Sequence, residues 1–311
     1  MLRNSPAIYV LAILCALIVT PAQATVQRAY VASWGNDSNA AYNCWITTPC
    51  RWFYTAVTVV SPNGEVVALD SAAYGPVTLT QSISLTSAPG AYAGMSVFPV
   101  STAGVTIATP NVNVVLRGLT INGQGGPAGV LMTNGAQLSI ENCVISNFSG
   151  SGQHGISVNA EATVRIVDTL VRDNDTGIEL QGGATGDISG SKFLGNGKGI
   201  LATSTASKFT AITISDTLVT GGINGIEAFS GTNGNSQIDV IRTTVSDNTT
   251  VGVKTSGSAG FATVTLSDSM VAGNGTGLFQ AGTGTLNSFG NNTVSDNTTP
   301  LSGSKILVPF M

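Results

Sequence analysis

The heptad TVSDNTT occupies residues 244–250, and the same seven residues return at 293–299. Both copies sit in a longer register. Polar or small residues stand two after an apolar residue and three before another at Gly118, Asn142, Asp168, Gly190, Asp216, Arg242, Asp268 and Asn291. The steps between them run from 22 to 26 residues. Three residues further on, every row is apolar: Ile121, Ile145, Val171, Phe193, Val219, Val245, Val271 and Val294. Six residues on stand Gln124, Phe148, Asn174, Asn196, Gly222, Asn248, Asn274 and Asn297. A Gly-aliphatic pair also recurs, from Gly155-Ile156 to Gly277-Leu278.

A period near 25 built of short β-branched runs punctuated by Gly, Asn and Asp predicts an all-β solenoid of parallel coils. A helical repeat is disfavoured, because the Gly and β-branched content makes helix costly throughout. Coils stack at about 4.8 Å, so equivalent residues lie over one another and stacked Asn amides can hydrogen-bond along a ladder. The repeated heptad therefore marks two coils that need the same corner.

Alternating pairs upstream, from Val67 and Leu69 to Val114 and Leu116, predict about three more coils. The total is roughly eleven, a rod about 50 Å long. A solenoid must cover its open ends. RWFYTAVTVV at 51–60 is the expected N-terminal capping helix, and KILVPFM at 305–311 the expected cover of the last coil. Trp34, Trp45 and Trp52 lie close to the N-terminal end and read as part of its cap. The expected organisation is a signal segment over 1–24 and one β-helix domain over 25–311. Within that domain, 25–65 carry the opening strand, Cys loop and cap, 66–300 the coils, and 301–311 the C-terminal cap.

The signal reading rests on Arg3, the apolar run at 7–19 and the small residues Ala22 and Ala24. The run is too short for a membrane span, which needs about 20 apolar residues, and none follows it. Secretion, to the periplasm or beyond the cell, is the expected destination. Without the signal the chain keeps 11 basic and 16 acidic side chains, and charged residues are 9% of the whole. A charge-poor, mildly acidic surface argues against nucleic acid as a partner. Cys44 and Cys50 close a short loop and predict a disulfide in an oxidising compartment. Cys143, inside the repeat, reads as a small buried hydrophobe.

One N-terminal pattern adds a resemblance. It comprises RAYVAS at 28–33, the Gly35-Asn36-Asp37 turn, and the Cys44–Cys50 loop ending Pro49-Cys50-Arg51. It continues as GEVVALD at 64–70, YGPVTL at 74–79, SISL at 82–85 and LRGLTING at 116–123. In these segments the chain resembles secreted right-handed parallel β-helix proteins of the pectate-lyase-like superfamily, and within it a bacterial group without an assigned activity. The resemblance implies a right-handed solenoid. The superfamily includes pectate lyases, pectin esterases, polygalacturonases, phage tailspikes and adhesins.

Enzymes of this fold place their chemistry on the outer face of stacked strands. Hydrolysis needs two close carboxylates, and lyases need a base and often calcium. His154, in QHGIS at 153–157, resembles the His-Gly-Ile segment of polygalacturonases. The context departs: the preceding coil offers Met132-Thr133-Asn134-Gly135 without an Asp pair, and Arg165-Ile166 is followed by Val167 rather than Lys. The densest acidic group is Asp173-Asn174-Asp175, beside Arg172. Asp173 and Asp175 flank an inward Asn174, point outward, and are the candidate calcium ligands, with His154 expected near Asp175. A bland reading makes the group a solvated corner. A second outward column is predicted as Ser157, Glu179, Leu201, Glu227, Lys254 and Phe279, with Glu227 and Lys254 as an exposed pair. Asp168, Asp216 and Asp268 fall on alternate coils and read as turn or ladder residues.

These readings favour a secreted protein that binds or displays without catalysis and without a cofactor, with polysaccharide or a cell-surface glycan as its partner. The alternative is a polysaccharide lyase or glycoside hydrolase acting on an acidic, plant or bacterial polysaccharide. That reading needs Asp173, Asp175 and either Arg172 or Arg165 to converge in one groove.

Overall fold

The protein is described here by a computed structural model covering residues 25–204 and 207–309. The expected signal segment at 1–24 lies outside the described residues. The chain winds as a three-sided parallel solenoid. One face begins with Val26–Val31 and Val60–Ala68 and continues through Ile83–Ser87, Asn113–Arg117 and Gln137–Glu141 to Asn235–Ile241 and beyond. The second stacks Val77–Leu79, Val105–Ile107, Ala128–Met132, His154–Asn159, Thr176–Gln181, Lys198–Ser204 and Asn224–Ser230. The third is a ten-stranded sheet of short strands. Ten passes along that column enclose about nine turns. This is fewer than the roughly eleven expected from sequence. The strands Val105–Ile107 and Asn113–Arg117 belong to the coil that Gly118 already marks, so the sequence count took it twice.

The register agrees with the repeat residue for residue. Ile121, Ile145, Val171, Phe193, Val219, Val245, Val271 and Val294 pair in one unbroken column. Inward aliphatic residues of all three faces form one core from Ala29 to Leu286. Each fully buried Val, Leu or Ile contributes about 1.5–3 kcal/mol relative to exposure.

Two corners per coil need left-handed backbone. Asn142, Asp168, Asp216, Arg242 and Asp268 have φ between 47° and 51°, and Gly118 and Gly190 share the position. At the next corner, Asn147, Asp173, Asp247 and Asp296 have φ between 55° and 67°, and Gly195, Gly221 and Gly273 replace them. Asn, Asp and Gly tolerate this region best, so the acidic residues here are backbone choices. Asp216 answers Arg242 on the next coil with two bonds of 2.8 and 2.9 Å.

The residue after the second corner turns inward. Asn174 Nδ2 donates to Asn196 Oδ1 at 2.9 Å, Asn248 to Asn274 at 2.9 Å, and Asn274 to Asn297 at 2.9 Å. The two TVSDNTT heptads thus supply the first and last rungs of one three-Asn ladder. Gly222 interrupts the column. The recurring Gly-aliphatic pairs have a different cause. A Cβ on Gly199 would lie 2.5 Å from the Gly225 carbonyl oxygen, and one on Gly225 2.5 Å from that of Gly252. Successive coils approach too closely there for a side chain.

At the N-terminal end a 3-10 helix spans Asp37–Tyr42, and within the expected 51–60 segment α-helix is confined to one turn, Phe53–Ala56. The β-branched run from Val57 onward gives way to the strand Val60–Ala68. Phe53 packs on fully buried Tyr74 with ring centroids 5.3 Å apart. The Tyr74 hydroxyl donates to the Asp70 carboxylate, which also accepts from the Ser33 amide at 2.8 Å. Burial first, then this bond to Asp70, pushes the Tyr74 phenol well above its usual range. Burial alone would raise the Asp70 carboxyl, but donation by Ser33 and Tyr74 leaves it below the ordinary value. Cys44 and Cys50 are bonded. Cys143 is buried, and burial pushes its thiol up to about 11. At the far end, Ile306–Val308 adds a strand beside 287–289 and leaves Ile306 and Leu307 exposed.

Candidate functional site

The sequence-predicted candidates separate in space. Arg172 pairs with Asp173 at 2.9 Å, and both side chains are about half exposed. Asp173 has φ 58° and occupies the left-handed corner, which accounts for its presence without a ligand. Asp175 Oδ2 accepts from the Gly152 amide at 2.7 Å. His154 does not join them. Its register partner is Thr176, as expected, but its Nε2 lies 2.9 Å from Glu179 Oε2. Arg165 lies within Thr163–Val167 on the first face, in register with Ser139 and Asp187, so it cannot converge with the Asp173 corner. Among the described residues no group of three or more His, Cys, Asp or Glu is placed to hold a metal ion.

The structure gathers charge elsewhere, on the outer side of the second face. The outward column is the predicted one: Ser157, Glu179, Leu201, Glu227, Lys254 and Phe279 in successive register. Beside it run Lys198 and Asn224 on one flank and Thr203 and Phe229 on the other. Glu179, Lys198, Leu201, Thr203, Glu227 and Phe229 line a groove of about 300 Å³ with Lys254 and Ser256 at its far wall. Glu179 is fixed at both oxygens, by His154 and by the Thr203 hydroxyl at 3.1 Å. The His154 hydrogen bond, working against burial, holds the Glu179 carboxyl below the usual carboxylate range.

Two coils on, Glu227 is in a different condition. Lys254 Nζ lies 2.7 Å from its Oε1, and its side chain is only 7% exposed. The sequence reading made this an exposed pair of little worth. Leu201 below and Phe229 beside it shield it instead. Its Oε2 is buried and has no hydrogen-bond donor, and Asn224 Oδ1 on the same strand is in the same state. A buried acceptor without a donor costs about 1–3 kcal/mol, more when charged. Of these two acceptors, the groove lining includes Glu227 and not Asn224.

Glu179 and Glu227 were therefore visible in the sequence as members of an outward column, but not as a site. The available signal was that the outward column from Ser157 carries Glu179, Glu227 and Lys254 where its other coils carry Ser, Leu or Phe. What the sequence could not give was the shielding of Glu227.

Comparison with known proteins agrees with this architecture. A family profile described as "Right handed beta helix region" matches residues 103–298. No curated protein matches the chain. The crystal structure of pectate lyase Pel9A is similar over 92% of this chain and 79% of that one, with a TM-score of 0.64 and 15% identity. Tailspike protein 2 of the Escherichia coli O157:H7 bacteriophage CAB120 is similar over 84% of this chain but 38% of its own length, with a TM-score of 0.52 and 14% identity. At these identities the likeness is one of fold. The disulfide fits a location outside the cytoplasm, and no helix among the described residues is long and apolar enough to cross a membrane. By the profile match over most of its length, the chain belongs to the right-handed β-helix family.

Proposed function

We propose that this is an exported polysaccharide-binding protein whose groove on the second face receives a glycan chain. The observation that carries the reading is the buried, donor-free acceptor Glu227 Oε2 in the wall of that groove. Sugar hydroxyls donate to such atoms and remove the penalty of leaving them unpaired. Phe229, 37% exposed, offers an apolar surface at the groove edge. The fold neighbours include a pectate lyase, which supports a polysaccharide as the ligand class.

Cleavage of the bound chain is the second reading. It is favoured by Glu179 and Glu227, whose backbones are two coils, about 10 Å, apart. Carboxylates about 6.5–9.5 Å apart flank the bond in inverting glycosidases. Against it, His154 holds the Glu179 carboxyl below the usual carboxylate range, which does not suit it to act as a protonated acid.

A panel of neutral and uronic-acid polysaccharides run through affinity electrophoresis tests binding. Retardation by at least one polymer, weakened in Glu227→Gln, is the expected result. Absence of retardation by any polymer overturns the reading. New reducing ends or unsaturated products in the same incubations move the assignment to an enzyme.

A further inference from the structure

A second concavity lies at the opposite end of the molecule. It has a volume of about 650 Å³, within the range of small-ligand sites, and is larger than the groove. It is five coils from the level of Glu179, about 24 Å along the axis, and opens on the first face. Its floor is the in-register row Arg28, Glu65 and Ser84. Arg28 Nε donates to Glu65 Oε2 at 2.8 Å, which holds both side chains in fixed positions. Tyr30 and Trp45 complete the wall.

Trp45 is the unusual member. It is 56% exposed, although the indole is the residue with most to gain from burial. It follows Cys44 directly, so the disulfide to Cys50 anchors the loop that projects it. That loop is also tied to the first strand. The Tyr30 amide donates to the Cys44 carbonyl at 2.8 Å, and the Cys50 amide to the Tyr30 carbonyl at 2.9 Å. The ring is thus presented on a rigid support, which lowers the ordering cost of any contact it makes. The same bonds occupy the edge of the first strand at Tyr30, which removes the template a β-strand partner would extend.

We propose that this concavity is a separate saccharide-binding site, in which one pyranose stacks on Trp45 and its hydroxyls bond to the Arg28–Glu65 pair. An aromatic face suits the C–H face of a sugar ring, and a fixed donor-acceptor pair suits its hydroxyls. Because Arg28 is already neutralised by Glu65, the site fits a neutral sugar rather than a uronate. The site is independent of the groove on the second face and does not rest on the function proposed for it.

The test uses the full mature chain and isothermal titration with neutral hexasaccharides of gluco, xylo, manno and galacto configuration. Wild type is compared with Trp45→Ala, Trp45→Tyr and the double variant Glu179→Gln/Glu227→Gln. The expected result is binding of at least one hexasaccharide that weakens tenfold or more in Trp45→Ala. It is largely retained in Trp45→Tyr, and the double glutamate variant, which removes only binding at the groove, still shows the Trp45-dependent event. Thermal melts of the variants identify any loss due to unfolding, and Trp45→Tyr then carries the comparison. Binding unchanged in Trp45→Ala overturns the proposal, as does no binding by wild type. Self-association of wild type that Trp45→Ala abolishes, without sugar binding, makes the surface a contact between copies and also overturns it.

Discussion

Two columns run the length of this solenoid, one inside and one outside, and they obey the same repeat with opposite results. The inner column reads Asn174, Asn196, Gly222, Asn248, Asn274, Asn297; the outer reads Ser157, Glu179, Leu201, Glu227, Lys254, Phe279. Both place one residue per coil at about 4.8 Å. Inside, five of these six coils meet the same demand with Asn, whose buried amide is satisfied by its neighbours, and Gly222 is the exception. Outside, no demand repeats, and each coil is free to carry a different group. Uniformity in a repeat therefore reports structure, while departure from uniformity is where function can reside. Glu227 is the extreme case, an outward position that is nonetheless buried and half-paired.

The sharpest way to break the inner half of this contrast is at the Gly column. Gly225→Val places a Cβ 2.5 Å from the Gly252 carbonyl oxygen and 2.7 Å from the Val245 side chain. Overpacking of this kind costs about 3 kcal/mol. Urea unfolding should show that loss. A variant as stable as wild type means that coil spacing is softer than the register implies.

The ladder comes next. Asn248 Oδ1 accepts from the Gly222 amide at 3.2 Å, and its Nδ2 donates to Asn274 and to the Ser246 carbonyl. Asn248→Ala strands those groups, at about 1–3 kcal/mol. Gly222 sharpens the comparison, because it divides the ladder. A double-mutant cycle on Asn248 and Asn274 should show coupling, whereas Asn196 and Asn248 should add independently. Equal coupling in both cycles means that the amides act through the backbone and not through one another.

Legibility follows the same division. The coils, their corners and the alignment of the two TVSDNTT heptads were readable because each depends on a residue type that backbone geometry forces. The disulfide was readable because Cys44 and Cys50 are close in sequence. His154 stands in register with Thr176, beside Asp175, but its ring bonds Glu179 along the outer face, a partner the sequence reading did not name. Side-chain direction on an outer face depends on which neighbours offer a partner, and no periodicity encodes that. The shielding of Glu227 depends on Leu201 and Phe229 jointly, from different coils and columns.

On the outer column the expected effect is smaller and pH-dependent. Glu179 has a folded pKa below its unfolded value, because His154 favours the anion. Its stabilising contribution is complete above the unfolded value of about 4.3, and is lost as pH falls through the lower folded value. Glu179→Gln should cost about 1 kcal/mol at neutral pH, the worth of a typical hydrogen bond. It should also flatten the acid side of the stability profile in that window. An unchanged acid limb removes the His154–Glu179 contact as the cause.

The smallest effect belongs to the residues that sequence alone ranked first. Asp173 occupies a left-handed corner that Asn147, Gly195 and Gly273 fill on other coils, so Asn serves that backbone equally well. Its charged partner among the described residues is Arg172 at 2.9 Å, and both are about half exposed, where ion pairs contribute about 0–1 kcal/mol. Asp175 accepts one bond from the Gly152 amide, which an Asn side-chain oxygen can also accept. Asp173→Asn with Asp175→Asn should therefore leave the melting temperature unchanged. The corner could still gather a calcium ion from solution, since two carboxylates flank one backbone turn. A ligand that binds only the folded state raises its stability by mass action. If calcium raises the melting temperature of wild type and the double variant loses that rise, the corner is a metal site and the lyase reading gains a cofactor. If both melt alike with and without calcium, the acidic residues there answer to backbone geometry, like the rest of their column.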